Sequence, residues 1–159
     1  MKYYFLTLFI FFAFISCSNP EFTITNATSQ KWHGGRPESG RGVNYRIEIQ
    51  VNYASSELSF TYMWIDGLKY EVEVFKNPEN KSDNSFAKGD KVYLEVNHTV
   101  RPDMQKLQET GEIVEIISGD ISQAPQNFDG AALIEYKINN TLKYQIVPAF
   151  KELEALNYP

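Results

Sequence analysis

The clearest pattern in the chain is a strict alternation of apolar and polar side chains between residues 43 and 53. All eleven positions have a period of two, with six apolar residues from Val43 to Tyr53 and a polar residue between each pair. A helix would scatter these six side chains around its surface, whereas a strand places them on one face. We predict a half-buried strand with one solvent-facing side.

A β-hairpin is predicted around the dipeptide Asp66-Gly67. Its strands are 58–64 and 68–74. A two-residue loop would pair Trp64 with Lys69, whereas a three-residue loop, 65–67, pairs Trp64 with Leu68. Only the longer loop separates apolar from polar cross-strand pairs, and a slip of one residue moves every side chain to the other face. We therefore predict the three-residue loop, which also puts a glycine where a type I turn with a bulge needs a positive φ.

The same reasoning predicts a second hairpin near the C-terminus. Its strands are 131–137 and 141–147. A three-residue loop, 138–140, pairs Tyr136 with Leu142 on one face and Glu135 with Lys143 on the other. A cross-strand pair of opposite charges contributes about 0.2–1 kcal/mol, which favours this register.

The remaining segments complete a predominantly β chain. Further strands are predicted at 22–29, 90–100 and 112–118, loops at 31–42, 77–85 and 119–130, and short helices at 101–110 and 148–156. Because most strands follow one another through turns, an antiparallel sandwich or barrel is indicated. The clean alternation at 43–53 favours the sandwich. We expect an all-β fold, an antiparallel two-layer β-sandwich of about eight strands with one or two short helices.

The N-terminus has the three parts of a secretory signal. Lys2 is followed by an uncharged apolar run at residues 5–15, which ends at the small residue Ser16. Eleven helical residues at about 1.5 Å each reach roughly 16 Å, which is half of a ~30 Å hydrocarbon core. The run is therefore too short to span a bilayer, and we predict a signal peptide at 1–16.

Cys17 is the only cysteine in the chain, so no intramolecular disulfide can form. A lone cysteine directly after a small residue at this boundary resembles the bacterial lipobox. The resemblance implies cleavage before Cys17 and acylation of it, which anchors the chain to a lipid bilayer. We expect a lipidated tether at 17–21 and a single domain at 22–159. Ser18 stands where an aspartate would retain the protein in the inner membrane, which favours the outer membrane, facing the periplasm.

Length and charge narrow the class of protein. Without the sixteen residues of the signal peptide, 143 of the 159 residues remain, enough for one domain with a real core. Removal of Lys2 changes the net charge from −5 to −6. Nucleic-acid binding needs a basic stripe to neutralise phosphates, and the sequence has none. We therefore exclude nucleic acid as a partner.

Signals for catalysis and metal binding are weak. The two histidines, His33 and His98, lie far apart, and no Gly-x-Ser-x-Gly motif accompanies them. His98 falls on a predicted strand face with Leu94 and Val96, where a packed histidine is the simplest interpretation.

A zinc site needs three or four suitably spaced ligands. We expect no metal and no cofactor. Glycoside hydrolysis needs two carboxylates that face each other across a cleft. The candidate glutamates fall instead on predicted solvent faces: Glu48, Glu71, Glu73 and Glu95.

The most interesting segment is the glycine-rich loop at 31–42. It brings together Trp32, His33, Arg36 and Arg41. Loops on rigid β scaffolds often carry binding residues, and an aromatic ring near arginines can stack on a sugar or bind a carboxylate or phosphate. The alternative is that the glycines serve turn geometry and that Trp32 caps the core. We name these four residues as the candidate ligand-binding set.

Several short elements of the sequence resemble small uncharacterised lipoproteins of the Bacteroidetes type. They are the lipobox, a Gln-x-Trp-x-Gly-Gly element (Gln30, Trp32, Gly34, Gly35), a Phe-x-x-Gly-Asp element (Phe86, Gly89, Asp90), Ala-Leu-Ile-Glu-Tyr at 132–136 and Leu-Asn-Tyr-Pro at 156–159. The resemblance implies a lipid anchor and a compact all-β domain, and it brings no known activity or site with it.

The leading functional hypothesis is a non-enzymatic module that binds a partner protein, peptide or glycan. It rests on the tether, the β architecture and the lack of a catalytic set. An envelope hydrolase that uses the His33 loop is the first alternative. A structural subunit of an envelope assembly is the second, and it would leave an edge strand exposed for pairing.

Overall fold

The computed structural model describes residues 20–159 and has two β-sheets packed face to face. The predicted all-β, two-layer sandwich is confirmed. The described range holds one α-helix, α1 (Met104–Thr110), and a 3₁₀ turn at Pro37–Ser39. The predicted signal peptide and Cys17 lie outside it. The strands are β1 (Phe22–His33), β2 (Arg41–Val51), β3 (Leu58–Ile65), β4 (Leu68–Glu71), β5 (Glu73–Phe75), β6 (Lys91–Pro102), β7 (Glu115–Ile117), β8 (Asp120–Ile121), β9 (Ala132–Ile138), β10 (Thr141–Val147) and β11 (Lys151–Asn157).

The two sheets are joined along one side. Sheet 1 has the order β11-β1-β2-β6-β5, with β7 also paired to β6, and sheet 2 has the order β10-β9-β3-β4-β8. All pairs are antiparallel except β1 with β11. The chain passes from sheet 2 to sheet 1 at Val72, between β4 and β5, where the Val72 N–H still donates to the Thr61 carbonyl at 3.1 Å.

The main core lies between the two sheets. β2 and β6 contribute one face each, and the inward-facing side chains are fully or almost fully buried over 47–51 of β2 and 92–96 of β6, as the alternation predicted for β2. Aromatic rings close the core at the end where the described chain begins, since Phe22 packs edge-to-face against Phe60 and Tyr136. The buried residues of the two central strands are Ile47, Ile49, Val51, Val92, Leu94 and Val96.

Both predicted three-residue hairpin loops are wrong. The first hairpin has the two-residue loop Asp66-Gly67, which pairs Trp64 with Lys69 and Ile65 with Leu68. Both loop residues have positive φ, 51° and 79°. Two such residues form a type I′ turn, whose twist matches the right-handed twist of the strands.

The second hairpin has the same two-residue type of turn. Ile138 pairs with Thr141, so that only Asn139 and Asn140 form the loop, with φ of 48° and 65°. Asparagine tolerates the left-handed region better than most residues, which allows the type I′ turn without glycine. Lys143 therefore stands opposite Tyr136 and not opposite Glu135.

The three-residue loop of the first hairpin was predicted by assigning apolar and polar side chains to opposite faces. This assignment failed because the side chains of β3 do not alternate evenly between the two faces. Its register with β9 shifts between Phe60 and Met63. Leu58 and Phe60 therefore face the core before the shift, and Met63 faces it afterwards. Trp64, which the prediction placed with Leu58 and Phe60, is buried but lies outside the main core.

The predicted C-terminal helix at 148–156 is also wrong, because this segment contains strand β11. β11 runs parallel to β1 and pairs Gln30 with Leu153 and Trp32 with Leu156. The edge of β1 offers unpaired backbone groups, and pairing with them outweighs the weak helical spacing of the leucines. The predicted loop at 31–42 is correspondingly shorter, since β1 continues to His33 and β2 begins at Arg41.

Helix α1 is confirmed within the predicted range. The Asp103 carboxylate accepts the N–H groups of Gln105 and Lys106, and Gly111 ends the helix in the left-handed conformation with φ of 76°. Pro102 is the last residue of β6 and not the first residue of the helix. α1 buries none of its residues.

Candidate functional site

Sheet 1 continues beyond sheet 2 at the end that carries the β1–β2 hairpin. Tyr70 of sheet 2 contacts His98 of sheet 1 near this end. Val100 lies two residues beyond His98 on β6. It is the cross-strand neighbour of Arg41 on β2, which in turn pairs with His33 on β1. Because side chains alternate along a strand, these three residues share the face that forms the core further down the sheet.

A groove of about 550 Å³ lies over this extension of sheet 1. Its lining is mainly apolar, from β6, α1 and the segment that follows α1, and its polar groups come from the β1–β2 hairpin and β7. The apolar lining residues are Val100, Pro102, Met104, Leu107 and Ile113, and the charged or titratable ones are His33, Arg36, Glu38, Arg41 and Glu115. We call this the distal groove.

One ion pair fixes the two sides of the distal groove relative to each other. The Arg41 guanidinium donates from both terminal nitrogens to the Glu115 carboxylate, at 3.0 and 3.3 Å. This bidentate contact links β2 to β7 across β6. Both side chains are about half exposed, so the ion pair contributes little to the stability of the fold. Its main effect is to hold β2 and β7 in position on the two sides of the groove.

The glycines of the hairpin are required by close packing. A Cβ atom on Gly42 would lie 2.1 Å from the His98 carbonyl oxygen and 2.7 Å from the Trp32 indole nitrogen. Gly40 has φ of +74°, and a Cβ there would lie 2.3 Å from the Val100 carbonyl oxygen. No side chain fits at either position, so the turn and the start of β2 are tightly packed against β1 and β6.

Trp32 does not line the distal groove, although the other three predicted binding residues, His33, Arg36 and Arg41, do. It alternates with His33 and so lies on the opposite face of β1. Its ring packs edge-to-face against Tyr158 at 6.4 Å, next to the hydrogen bond from the Tyr158 N–H to the His33 carbonyl. Trp32 therefore packs the C-terminal segment against β1, and the described residues that line the groove include no tryptophan, tyrosine or phenylalanine for sugar stacking.

His98 packs against sheet 2, away from the distal groove lining. Its Nδ1 atom lies 2.8 Å from the Tyr70 hydroxyl oxygen. Burial, together with the nearby Tyr45 and Asp66, raises the pKa of Tyr70 to about 12. The hydroxyl therefore stays protonated at neutral pH.

A second, smaller cleft of about 300 Å³ lies where β4, β6 and β8 approach one another, and four carboxylates line it. Glu95, predicted on a solvent face, is only 4 % exposed, since Lys81 from the 76–85 loop and Arg46 both bind it. Burial alone would raise the pKa of Glu95, but the hydrogen bonds from Lys81 and Arg46 outweigh it and hold that pKa below 4.5. The other three lining carboxylates are those of Glu71, Glu73 and Asp120.

Comparison with known proteins assigns no family, because no family model matches the chain and no curated protein or solved structure is significantly similar to it. Between residues 20 and 159, no helix is long and apolar enough to cross a membrane. The same range holds no group of three His, Cys, Asp or Glu side chains placed to bind a metal ion. Function therefore has to be inferred from the distal groove itself.

Proposed function

We propose that the protein is a lipid-anchored envelope lipoprotein whose domain is a non-enzymatic binding module. The distal groove receives an extended, mainly apolar segment of a partner protein. The observation that carries this proposal is the composition of the groove, in which a continuous apolar lining is bordered by arginine, histidine and glutamate. Sites of this kind bury apolar side chains and use a few polar groups for orientation.

The lining of the distal groove favours a peptide over the alternatives. A glycan would need an aromatic platform, and Trp32 lies on the other face of β1. A covalent hydrolase would need a nucleophile, and among residues 20–159 the groove lining includes no serine, threonine or cysteine beside His33. Loss of turnover on envelope substrates in a folded His33→Ala variant would support the hydrolase alternative against this proposal.

The position of the groove suits an anchored protein. Pro20 lies at the opposite end of sheet 1, where its carbonyl accepts a 2.7 Å hydrogen bond from the Asn52 side chain. β1 leads from that end to His33, and at about 3.3 Å per residue it spans roughly 36 Å. With acylation at Cys17, the groove would face away from the bilayer, which we propose to be the outer membrane on its periplasmic side.

The anchor is tested with Cys17→Ser. We expect this variant to lose palmitate labelling and to leave the membrane fraction, because Cys17 is the only thiol available for acylation. A variant that keeps both its label and its membrane association would refute the lipoprotein assignment.

The groove is tested with Leu107→Arg, using Ile121→Arg as the matched control. Leu107 lines the groove on a helix without buried residues, and Ile121 is 95 % exposed on β8 outside the groove. Both variants should fold, since neither places the new charge in the core. We expect a partner purified with the wild type from detergent-solubilised membranes to be lost with Leu107→Arg only. Equal recovery with both variants would exclude the groove as its site.

A further inference from the structure

Strand β7 has one paired edge and one free edge. It pairs with β6 through Val100 opposite Ile117 and Arg101 opposite Ile116. Hydrogen bonds from the Ser118 N–H to the Thr99 carbonyl, at 2.9 Å, and from the Asp103 N–H to the Val114 carbonyl, at 2.7 Å, continue this ladder at both ends. β7 and its two flanking residues, 114–118, are therefore held against β6.

The ladder determines which backbone groups are free. In an antiparallel pair, every second residue directs its N–H and C=O toward the partner, and the residues between direct theirs away. The bonded positions are Val114, Ile116 and Ser118, so Glu115 and Ile117 direct their backbone groups to the free edge. Within residues 20–159, no strand pairs with β7 on that side.

The side chains of β7 do not protect this edge. Ile116 and Ile117 are 43 % and 51 % exposed, and the preceding Ile113 is 76 % exposed. β11, at the far edge of the same sheet, instead carries the charged residues Lys151, Glu152 and Glu154. Proteins usually protect edge strands with charge, so an apolar edge with free backbone groups indicates a place for pairing.

The free edge of β7 is continuous with the distal groove. Glu115 lines the groove, and Ile117 lies on the same face of β7 because it is two residues away. Arg41 neutralises the Glu115 carboxylate, so an apolar chain beside β7 would not meet an unpaired charge there. A strand added to β7 would thus direct alternate side chains toward the groove.

We propose that the partner segment binds by strand addition to β7, with every second side chain apolar and directed into the distal groove. This inference rests on the proposed function and specifies its mode. Backbone hydrogen bonds to Glu115 and Ile117 would supply affinity, and the apolar lining would supply specificity. The expected occupant is an extended segment of another protein.

The probe is a fluorescein-labelled short peptide of alternating isoleucine and threonine with a lysine at each end. It is titrated by anisotropy against the full-length lipoprotein in nanodiscs, with empty nanodiscs as the blank. A second peptide of the same sequence carries N-methyl groups on alternate amides. Two protein variants are compared, Ile117→Pro and Ile117→Ala. Proline removes an N–H that points to the free edge, so pairing with β6 is kept, whereas alanine keeps the N–H.

We expect saturable binding of the unmodified peptide and a loss of about fivefold to tenfold with the N-methylated peptide or with Ile117→Pro, since each removes backbone hydrogen bonds. Ile117→Ala should weaken binding less than Ile117→Pro. Equal binding of both peptides, or binding that Leu107→Arg abolishes and Ile117→Pro leaves unchanged, would overturn strand addition and leave the groove function standing. No binding by either peptide would overturn both.

Self-association is the remaining outcome, and sedimentation of the detergent-solubilised chain decides it. A monomer at the titration concentration agrees with a partner segment as the occupant. A dimer that Ile117→Pro dissociates would show that a second copy of this chain occupies the edge, and it would overturn the proposed occupant.

Discussion

The two ends of the sandwich differ in how the inner face of sheet 1 is covered. At the end near Pro20, Phe22 packs against Phe60 and Tyr136 at centroid distances of 5.1 and 5.0 Å, and all three rings are buried. At the distal end the same face continues into the groove, where α1 buries none of its residues.

This difference separates stability from binding. Burial of apolar area is the main source of folding free energy, so the aromatic end should carry much of it. The apolar surface of the distal groove stays partly open to water. A ligand that covers this surface therefore gains the free energy of burying it. Substitutions at the two ends should therefore affect different measurements.

The largest effect is expected at the aromatic end. Phe22→Ala removes a ring that touches two others and should lower the free energy of unfolding by about 3–5 kcal/mol. Guanidinium unfolding measures this loss, with Ile121→Ala as a control that should stay within about 0.5 kcal/mol of the wild type. A loss below about 1 kcal/mol for Phe22→Ala would show that this end is not the stable one.

A smaller loss is expected from Gly42→Ala, which tests how closely β1, β2 and β6 pack at the distal end of sheet 1. The added methyl group would collide with the His98 carbonyl and the Trp32 ring, and such overpacking costs about 1–3 kcal/mol. Gly67→Ala is the comparison, because a Cβ there meets no atom and only the positive φ opposes it. If urea unfolding shows no loss for Gly42→Ala, the strands at the distal end rearrange easily around the added methyl group.

Part of the pH dependence of stability should come from Glu95 in the middle of sheet 1. Glu95 has a folded pKa below its ordinary value of 4.5, so its charge contributes stability above pH 4.5, and this is lost as the pH falls through the folded pKa. Glu95→Gln should therefore be less stable than the wild type at pH 7, and the difference should shrink below pH 4.5. Unfolding curves from pH 7 to 3 measure it, and a difference independent of pH would contradict the assignment.

The smallest effect on stability is expected in the groove. Leu107→Ala removes an apolar side chain from a helix without buried residues, so the free energy of unfolding should change by less than about 0.5 kcal/mol. Hydrogen exchange should agree, with amides of α1 exchanging before those of β2. A loss above about 2 kcal/mol would mean that Leu107 belongs to the structural core.

Local pattern predicted the elements that depend on neighbours in the sequence. The alternation at 43–53 predicted the inner face of β2, and the short helix predicted at 101–110 contains α1. The register shift in β3 and the strand β11 depend on distant partners. β11, for example, exists because β1 extends to His33 and offers it a free edge.

The candidate site was predicted in part. Glycines among charged residues marked the loop at 31–42 and gave His33, Arg36 and Arg41, together with Trp32, which does not line the groove. That α1 faces His33 follows only from the pairing of β1, β2 and β6, which residue spacing does not encode.

Site-specific photo-crosslinking in intact cells tests the central claim, binding in the distal groove, most directly. A diazirine-bearing residue is placed at Leu107 in the groove or at Leu142, a 45 % exposed position on β10. We predict a discrete protein adduct from position 107 that position 142 does not give. Adducts of equal yield from both positions, or none from position 107, would contradict the account.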